Sequence, residues 1–186
     1  MYIALLCFLA FFVIMLIISY NRLIKKFNQL NNAFSSLDVM LKKRYDLIPN
    51  LIELVRQYSK HEESLLLKIA SLRATGMSET LEIAEKMNVG KQLSSTVADM
   101  ILNTEAYPEL KANESFLRLQ ATWTESEEQI AAARRNYNNT VTIYNDGVMM
   151  FPESIFASIL KYKPVDLLAN VEEERDNISA KAIFNH

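Results

Sequence analysis

Two hydrophobic patterns divide the chain. The first is continuous: Met1 to Ile18 (MYIALLCFLAFFVIMLII) holds no charge, no Gly and no Pro. Eighteen apolar residues at 1.5 Å each make about 27 Å of helix, close to the hydrocarbon thickness of a bilayer. Tyr2 and Tyr20 stand at its two ends, where amphipathic rings suit the headgroup level. A cleaved signal peptide calls for a positive segment ahead of the run and small residues after it, and Ile17-Ile18-Ser19-Tyr20 is a poor cleavage site. A buried core helix calls for a polar face, which this run lacks. A lipid anchor at Cys7 would have almost no apolar stretch ahead of it. The run is read as a membrane-spanning helix.

The second pattern is periodic. Leu23, Phe27, Leu30, Phe34, Leu37, Leu41, Arg44, Ile48, Leu51, Val55, Tyr58, Glu62, Leu65, Ile69 and Leu72 follow one another at alternating spacings of four and three. Only Arg44 and Glu62 interrupt its apolar character. This is the a/d seam of left-handed helix packing. Pro49 falls inside it, where it removes one backbone hydrogen bond and crowds the carbonyl of Tyr45, at about 3 kcal/mol. Because the phase holds across Pro49, the seam predicts one helix over 22–74 with a kink there. The other reading is a break at 45–49, with Asp46 capping a second helix.

Gly76 reads as a C-terminal cap, followed by Ser78 capping a helix to about Thr104, with Glu79 and Glu82 in its first turn. Gly90 weakens the middle of that helix. Residues 103–112 read as a turn around Pro108. Asn113 then caps a helix to about Asp146, before Gly147. On this helix Phe116, Trp123, Ile130, Tyr137 and Tyr144 recur every seven residues, with Leu119, Ser126, Ala133 and Thr140 between them. Large and small layers in alternation let a partner helix approach closely. A short amphipathic helix follows at 154–160, broken by Tyr162-Lys163-Pro164, and residues 171–186 read as a polar tail. No stretch alternates strongly enough to predict a strand. The expectation is an all-α chain: an anchor at 1–20, a bundle of three to four long antiparallel helices at 21–168 and a tail at 169–186.

Charge adds orientation. Arg22, Lys25 and Lys26 follow the apolar run directly, and all 20 Lys and Arg lie on that side. The positive-inside rule then places residues 21–186 in the cytoplasm and the amino terminus outside a single-pass inner-membrane protein. Tyr2, Tyr20, Arg22, Lys25 and Lys26 are its candidate bilayer-interface residues, with lipid as the partner. Lys42-Lys43-Arg44 would stand about 30 Å further out, beyond electrostatic reach. A net charge of −2 carries no footprint for nucleic acid. Three Gly and four Pro agree with long helices, and the single Cys7 excludes an intrachain disulfide.

Candidate chemistry is sparse. His61 and His186 are the only histidines, and no metal-ligand spacing, nucleophile–base pair or Gly-rich phosphate loop is present. No catalytic residue, metal or cofactor is assigned, and the chain does not read as an enzyme. The N-x-S/T matches at Asn113, Asn138 and Asn177 have no meaning in a cytoplasmic domain. Arg44 is more informative. If buried it needs a carboxylate, and Glu127 or Glu128 is in reach; otherwise its head runs out to solvent along the aliphatic stem. Arg134, Arg135, Asn136, Asn138 and Asn139 form a dense polar patch, read either as a solvated face or as a surface for a partner chain.

The stretches at 20–62, 106–120 (AYPELKANESFLRLQ), 130–145 (IAAARRNYNNTVTIYN), 151–160 (FPESIFASIL) and 162–168 (YKPVDLL) together resemble the LemA family. The middle, about 76–103, departs most from the family pattern. The resemblance implies a membrane-anchored bundle of antiparallel helices, without a defined active site to carry over. Members are connected with membrane formation in magnetosomes, with signalling and with membrane proteases. The expected function is a bacterial membrane scaffold, self-associating or holding other membrane proteins. The alternative is an adaptor for a membrane protease or signalling system, docking through 151–168, a segment that otherwise simply closes the end of the bundle.

Overall fold

The computed structural model describes residues 2–58 and 62–168. His61, His186, Asn177 and the polar tail lie outside the described residues. The longest element, α1 (Tyr2–Tyr58), runs without interruption from the apolar run through the seam and across Pro49. Two features offset the proline. Ile48 and Leu51 beside it are buried, each contributing about 1.5–3 kcal/mol. The carbonyl that Pro49 cannot bond, on Tyr45, instead accepts a hydrogen bond from Arg73 Nε at 3.0 Å. A side chain from another helix thus replaces the missing backbone donor.

That bond also shows where the single helix expected over 22–74 gives way. α1 stops at Tyr58, and α2 (Glu63–Gly76) turns back so that its last turn lies beside Tyr45. The seam crosses this reversal because both helices present apolar faces to the same core. Periodicity reports a face, not a chain direction. Its phase slips there: Leu66 and Ile69 are buried, whereas Leu65 and Leu72 are only partly so. Gly76 is not a left-handed cap, since no glycine among the described residues has positive φ. It sits within the last turn of α2, and a Cβ there would overlap the Tyr45 hydroxyl.

α3 (Ile83–Asn103) starts later than Ser78 suggested. Ser78 shares a hydrogen bond with the Thr80 hydroxyl at 2.8 Å inside the preceding turn. The cap is Glu82, whose N–H donates to the Glu85 carboxylate at 3.1 Å. α3 runs parallel to α1: Lys86 pairs with Asp38 near its start, and Asn103 reaches Glu62 at its end. A single 3₁₀ turn (Thr104–Ala106) and the short α4 (Pro108–Lys111) then reverse the chain.

Asn113 caps α5 (Glu114–Met149), its Oδ1 accepting from the N–H groups of Ser115 and Phe116 at 2.8 and 3.1 Å. α5 descends the whole bundle antiparallel to α1. Tyr58 meets Asn113, Arg44 meets Glu127 and Phe27 meets Tyr144. The steps along the two helices are equal and opposite, so the register holds throughout. The seam residues Phe116, Trp123, Ile130, Tyr137 and Tyr144 are all buried. α5 continues through Gly147, three residues beyond Asp146 to Met149. A Cβ on Gly147 would lie 2.8 Å from Lys26 Cδ.

α6 (Glu153–Ile159) follows and ends in a Schellman motif. Tyr162 N–H donates to the Ala157 carbonyl (2.9 Å) and Lys161 N–H to that of Ser158 (3.2 Å). Lys161 takes the left-handed φ of 57° that this motif requires, at about 1–2 kcal/mol for a residue other than glycine. The turn sends residues 162–168 back up the bundle as an extended strap. The upper half of the domain therefore has four helices, α1, α2, α3 and α5. The lower half has α1 and α5, closed by α6 and the strap.

The Pro49–Arg73 compensation is testable by a double-mutant cycle. Arg73→Met leaves the Tyr45 carbonyl unbonded and should cost about 1–3 kcal/mol in chemical denaturation. In a Pro49→Ala background the backbone donor returns, and the same change should cost markedly less. Equal costs in both backgrounds would separate Arg73 from the proline.

Candidate functional site

The most concentrated polar chemistry in the core is a node at Arg44. Its side chain projects from the seam face of α1 and is 2% exposed. Nη1 donates to Glu127 Oε1 at 2.9 Å and Oε2 at 3.1 Å, and to Ser94 Oγ at 2.9 Å. Ser94 Oγ lies 2.7 Å from Glu127 Oε1 and 3.0 Å from the Gly90 carbonyl, so its single proton serves one of them at a time. Tyr45 and Trp123 present ring faces to the guanidinium, with centroids at 5.7 and 5.8 Å. Gly90 is where the guanidinium fits: a Cβ there would overlap Nη2. The helix weakness expected at Gly90 is thus the space that admits a buried charge. Of the two carboxylates in reach by sequence, Glu127 faces the node and Glu128 faces solvent.

The node joins α1, α3 and α5 at one level. Glu127 is about one-third exposed (34%), so the pair sits at the edge of the core rather than in fully dry surroundings. Burial pushes the Tyr45 hydroxyl pKa up, and the adjacent Arg44 cation opposes that shift. Burial likewise raises Tyr137 and Tyr144. A folded-state pKa above the unfolded value keeps the full stabilisation below about pH 10 and loses it as pH rises through the raised value. These phenols are therefore neutral core groups at physiological pH.

The polar patch on α5 divides. Arg134 is buried, while Arg135, Asn136 and Asn139 are exposed. Asn138 is taken up by the strap. Its Nδ2 donates to the Leu168 carbonyl and its Oδ1 accepts from the Leu168 N–H, both at 2.9 Å. Asn145 grips Val165 in the same way, at 2.8 and 2.9 Å. Seven helical residues rise about 10.5 Å, and three extended residues about 10 Å. The two amides therefore match the strap as a strand edge would. Tyr144 donates to the Lys163 carbonyl at 3.2 Å, and Tyr162 stacks on Phe27 at 4.7 Å. The spacing of Asn138 and Asn145 is visible in the sequence; their partners are not.

At the lower end the expected interface residues also separate. Tyr2, Tyr20, Arg22 and Lys25 are exposed. Lys26 turns inward and pairs with Glu153 of α6 at 2.5 Å. Tyr20 packs edge-on against Phe156 at 5.8 Å. Among the described residues, no three His, Cys, Asp or Glu side chains gather within reach of one metal ion.

These features define an all-α protein in which an exposed apolar N-terminal helix continues into an antiparallel bundle pinned by side-chain hydrogen bonds. The LemA family model matches residues 33–181, and the chain belongs to the LemA family. The match begins within α1, after the apolar run, and extends past residue 168 into the segment read as a tail. The chain is similar to Protein LemA of Metamycoplasma hominis, at 24% identity over 185 residues, covering 96% of this chain and 84% of that protein. It is also similar to Magnetosome protein MamQ 2 of Paramagnetospirillum magneticum (21% over 177 residues, 82% of this chain and 65% of that protein). Magnetosome protein MamQ of Magnetospirillum gryphiswaldense matches at 20% over 180 residues, 83% of this chain and 66% of that protein. The chain thus spans just under two thirds of the length of these magnetosome proteins.

Removing one partner from the node should cost more than removing both. Glu127→Ala should destabilise by about 2 kcal/mol, below the range for a fully buried pair because Glu127 is partly solvated. Arg44→Met combined with Glu127→Leu should recover much of that loss, as read from denaturant midpoints. For the strap, Asn138→Ala with Asn145→Ala should leave the bundle folded. It should speed tryptic cleavage after Lys161 relative to the parent chain; the Lys163–Pro164 bond is not a cleavage site in either.

Proposed function

We propose that this protein is a membrane-anchored helical scaffold, which self-associates or holds other membrane proteins at the bilayer surface. The observation that carries this reading is the continuity of α1. One helix supplies both the apolar N-terminal run and the seam of the bundle. Of its most apolar eighteen residues, 6% are buried, whereas a core helix of a soluble domain would bury most of its surface. The run is long enough to cross a bilayer. Arg22 and Lys25, exposed just past it, favour an orientation with the bundle in the cytoplasm.

In this reading the Arg44 node fixes the register of α1, α3 and α5, so that the bundle transmits the direction of the anchor as a stiff unit. Arg135, Asn136 and Asn139 are the exposed remainder of the α5 patch and supply a polar surface for another copy or another membrane protein. A second reading, an adaptor for a membrane protease or signalling enzyme, is favoured by one feature. An open groove of about 560 Å³ lies between α1 and α2, lined by Pro49, Ile52, Glu53, Arg56, Gln57, Ala70 and Arg73.

The mass of the detergent-solubilised full chain separates the two. A defined homo-oligomer that dissociates with Arg135→Glu and Asn139→Glu supports the scaffold. A monomer that co-purifies with a protease, and loses it on Arg56→Glu in the groove, supports the adaptor and overturns a self-associating scaffold. Protease digestion of intact spheroplasts should spare the bundle, and its loss from outside would reverse the orientation.

A further inference from the structure

The lower end of the bundle carries an apolar surface that its own core does not use. Met149, Met150 and Phe151, at the elbow between α5 and α6, are 63%, 59% and 74% exposed, and Ile159 on α6 is 70% exposed. Ile155, one turn before Ile159, is exposed on the same helix. Leaving this surface in water wastes the burial of several large side chains, each about 1.5–3 kcal/mol. Scattered apolar residues on a surface need no explanation, but a contiguous group does.

Contacts with α1 fix the height of this surface. Glu153, at the start of α6, is bonded to Lys26, and Phe156, one turn on, lies against Tyr20. α6 therefore descends along α1 toward the apolar run. Ser19 is buried at this level, and Met15 and Leu16 are partly covered while the other residues from Tyr2 to Ile18 are exposed. The exposed residues of the elbow and α6 thus lie beside the point where the apolar run ends. Exposed cations stand at the same end of the bundle: Arg22 and Lys25 on α1, and Lys161 and Lys163 after α6. Apolar side chains flanked by cations are the composition of an element that lies in the plane of a bilayer interface.

We propose that the α5–α6 elbow and the outer face of α6 form a second membrane contact, seated in the headgroup–acyl boundary of the same bilayer that α1 crosses. This rests on the reading of α1 as a membrane span. The occupant is lipid because the surface is continuous with the span and level with its end. An exposed apolar residue elsewhere, Leu102 at the far end of α3, has neither property. A rod held by one helix is free to tilt. A rod held by a helix and an adjacent wedge has its angle to the bilayer set by the Lys26–Glu153 and Tyr20–Phe156 contacts.

The test uses the full chain in vesicles of phosphatidylcholine and phosphatidylglycerol containing nitroxide-labelled lipid. A fluorophore is attached at native Cys7, or, in a Cys7→Ser background, at Phe151→Cys, Ile159→Cys or Leu102→Cys. All four positions are exposed in the protein, so labelling leaves the core intact. The expected result is strong quenching at positions 151 and 159 by nitroxide near the headgroup, quenching at position 7 by nitroxide deeper in the chains, and none at 102. Quenching at 7 without quenching at 151 and 159 overturns the second contact and leaves the span standing. No quenching at 7 removes the span, and the second contact with it. Positions 151 and 159 shielded from aqueous iodide yet untouched by lipid nitroxide would show a second protein copy covering the surface, which also overturns the proposal.

Discussion

Helix α1 carries two different kinds of surface without a break. Its first part exposes almost every side chain and is uniformly apolar; its second part buries one face and solvates the other. An α-helix closes its backbone hydrogen bonds internally, so it can pass from one setting to the other at no backbone cost. No Gly or Pro lies between Ile18 and Leu23 to absorb a bend. Every other element is placed against this fixed axis. α2 and α3 cover its upper part, α6 and the strap cover its lower part, and α5 runs beside it for nearly the full height of the bundle.

Along that axis, three polar groups on α1 find partners on other helices, while Arg44 Nε and Nη2 and the Tyr45 hydroxyl, also buried, make no hydrogen bond. The carbonyl orphaned by Pro49 takes Arg73 from α2, Arg44 takes Glu127 from α5 and Ser94 from α3, and Lys26 takes Glu153 from α6. An unmet group at any of these sites would cost about 1–3 kcal/mol, more for the charges. An apolar seam alone tolerates slippage by a heptad, because its positions are nearly equivalent. In the proposed reading, a buried guanidinium with one matching carboxylate selects a single register. All three glycines lie against these polar side chains or their neighbour Tyr45: Gly76 against Tyr45, Gly90 against Arg44 and Gly147 against Lys26. Their role is close approach rather than turning.

The lower tier solves a different problem. α2 and α3 do not reach it, so two helices alone would leave Phe27 and Tyr144 open. The chain closes the gap with an extended segment instead of a helix, and an extended segment needs partners for its backbone. Asn138 and Asn145 supply them from the side of α5, which lets a strand-like strap lie on a helix without a sheet.

Much of this was legible in the residues. An uncharged run of bilayer length, a seven-residue repeat of large side chains and an Asn before Glu114 each report local physics, and each fixes an element regardless of its neighbours. The need of Arg44 for a carboxylate was legible too, though the choice of Glu127 over Glu128 was not, because one helical step of rotation decides it. What the sequence could not decide was chain direction. The seam from Leu23 to Leu72 describes an apolar face equally well for one long helix or for two folded together. Only the packing of Gly76 on Tyr45, and the reach of Arg73 to the carbonyl that Pro49 leaves free, establishes the reversal. The fates of Asn138 and Lys26 were hidden for the same reason. A polar side chain states what it requires, and only the tertiary structure states which distant residue meets that requirement.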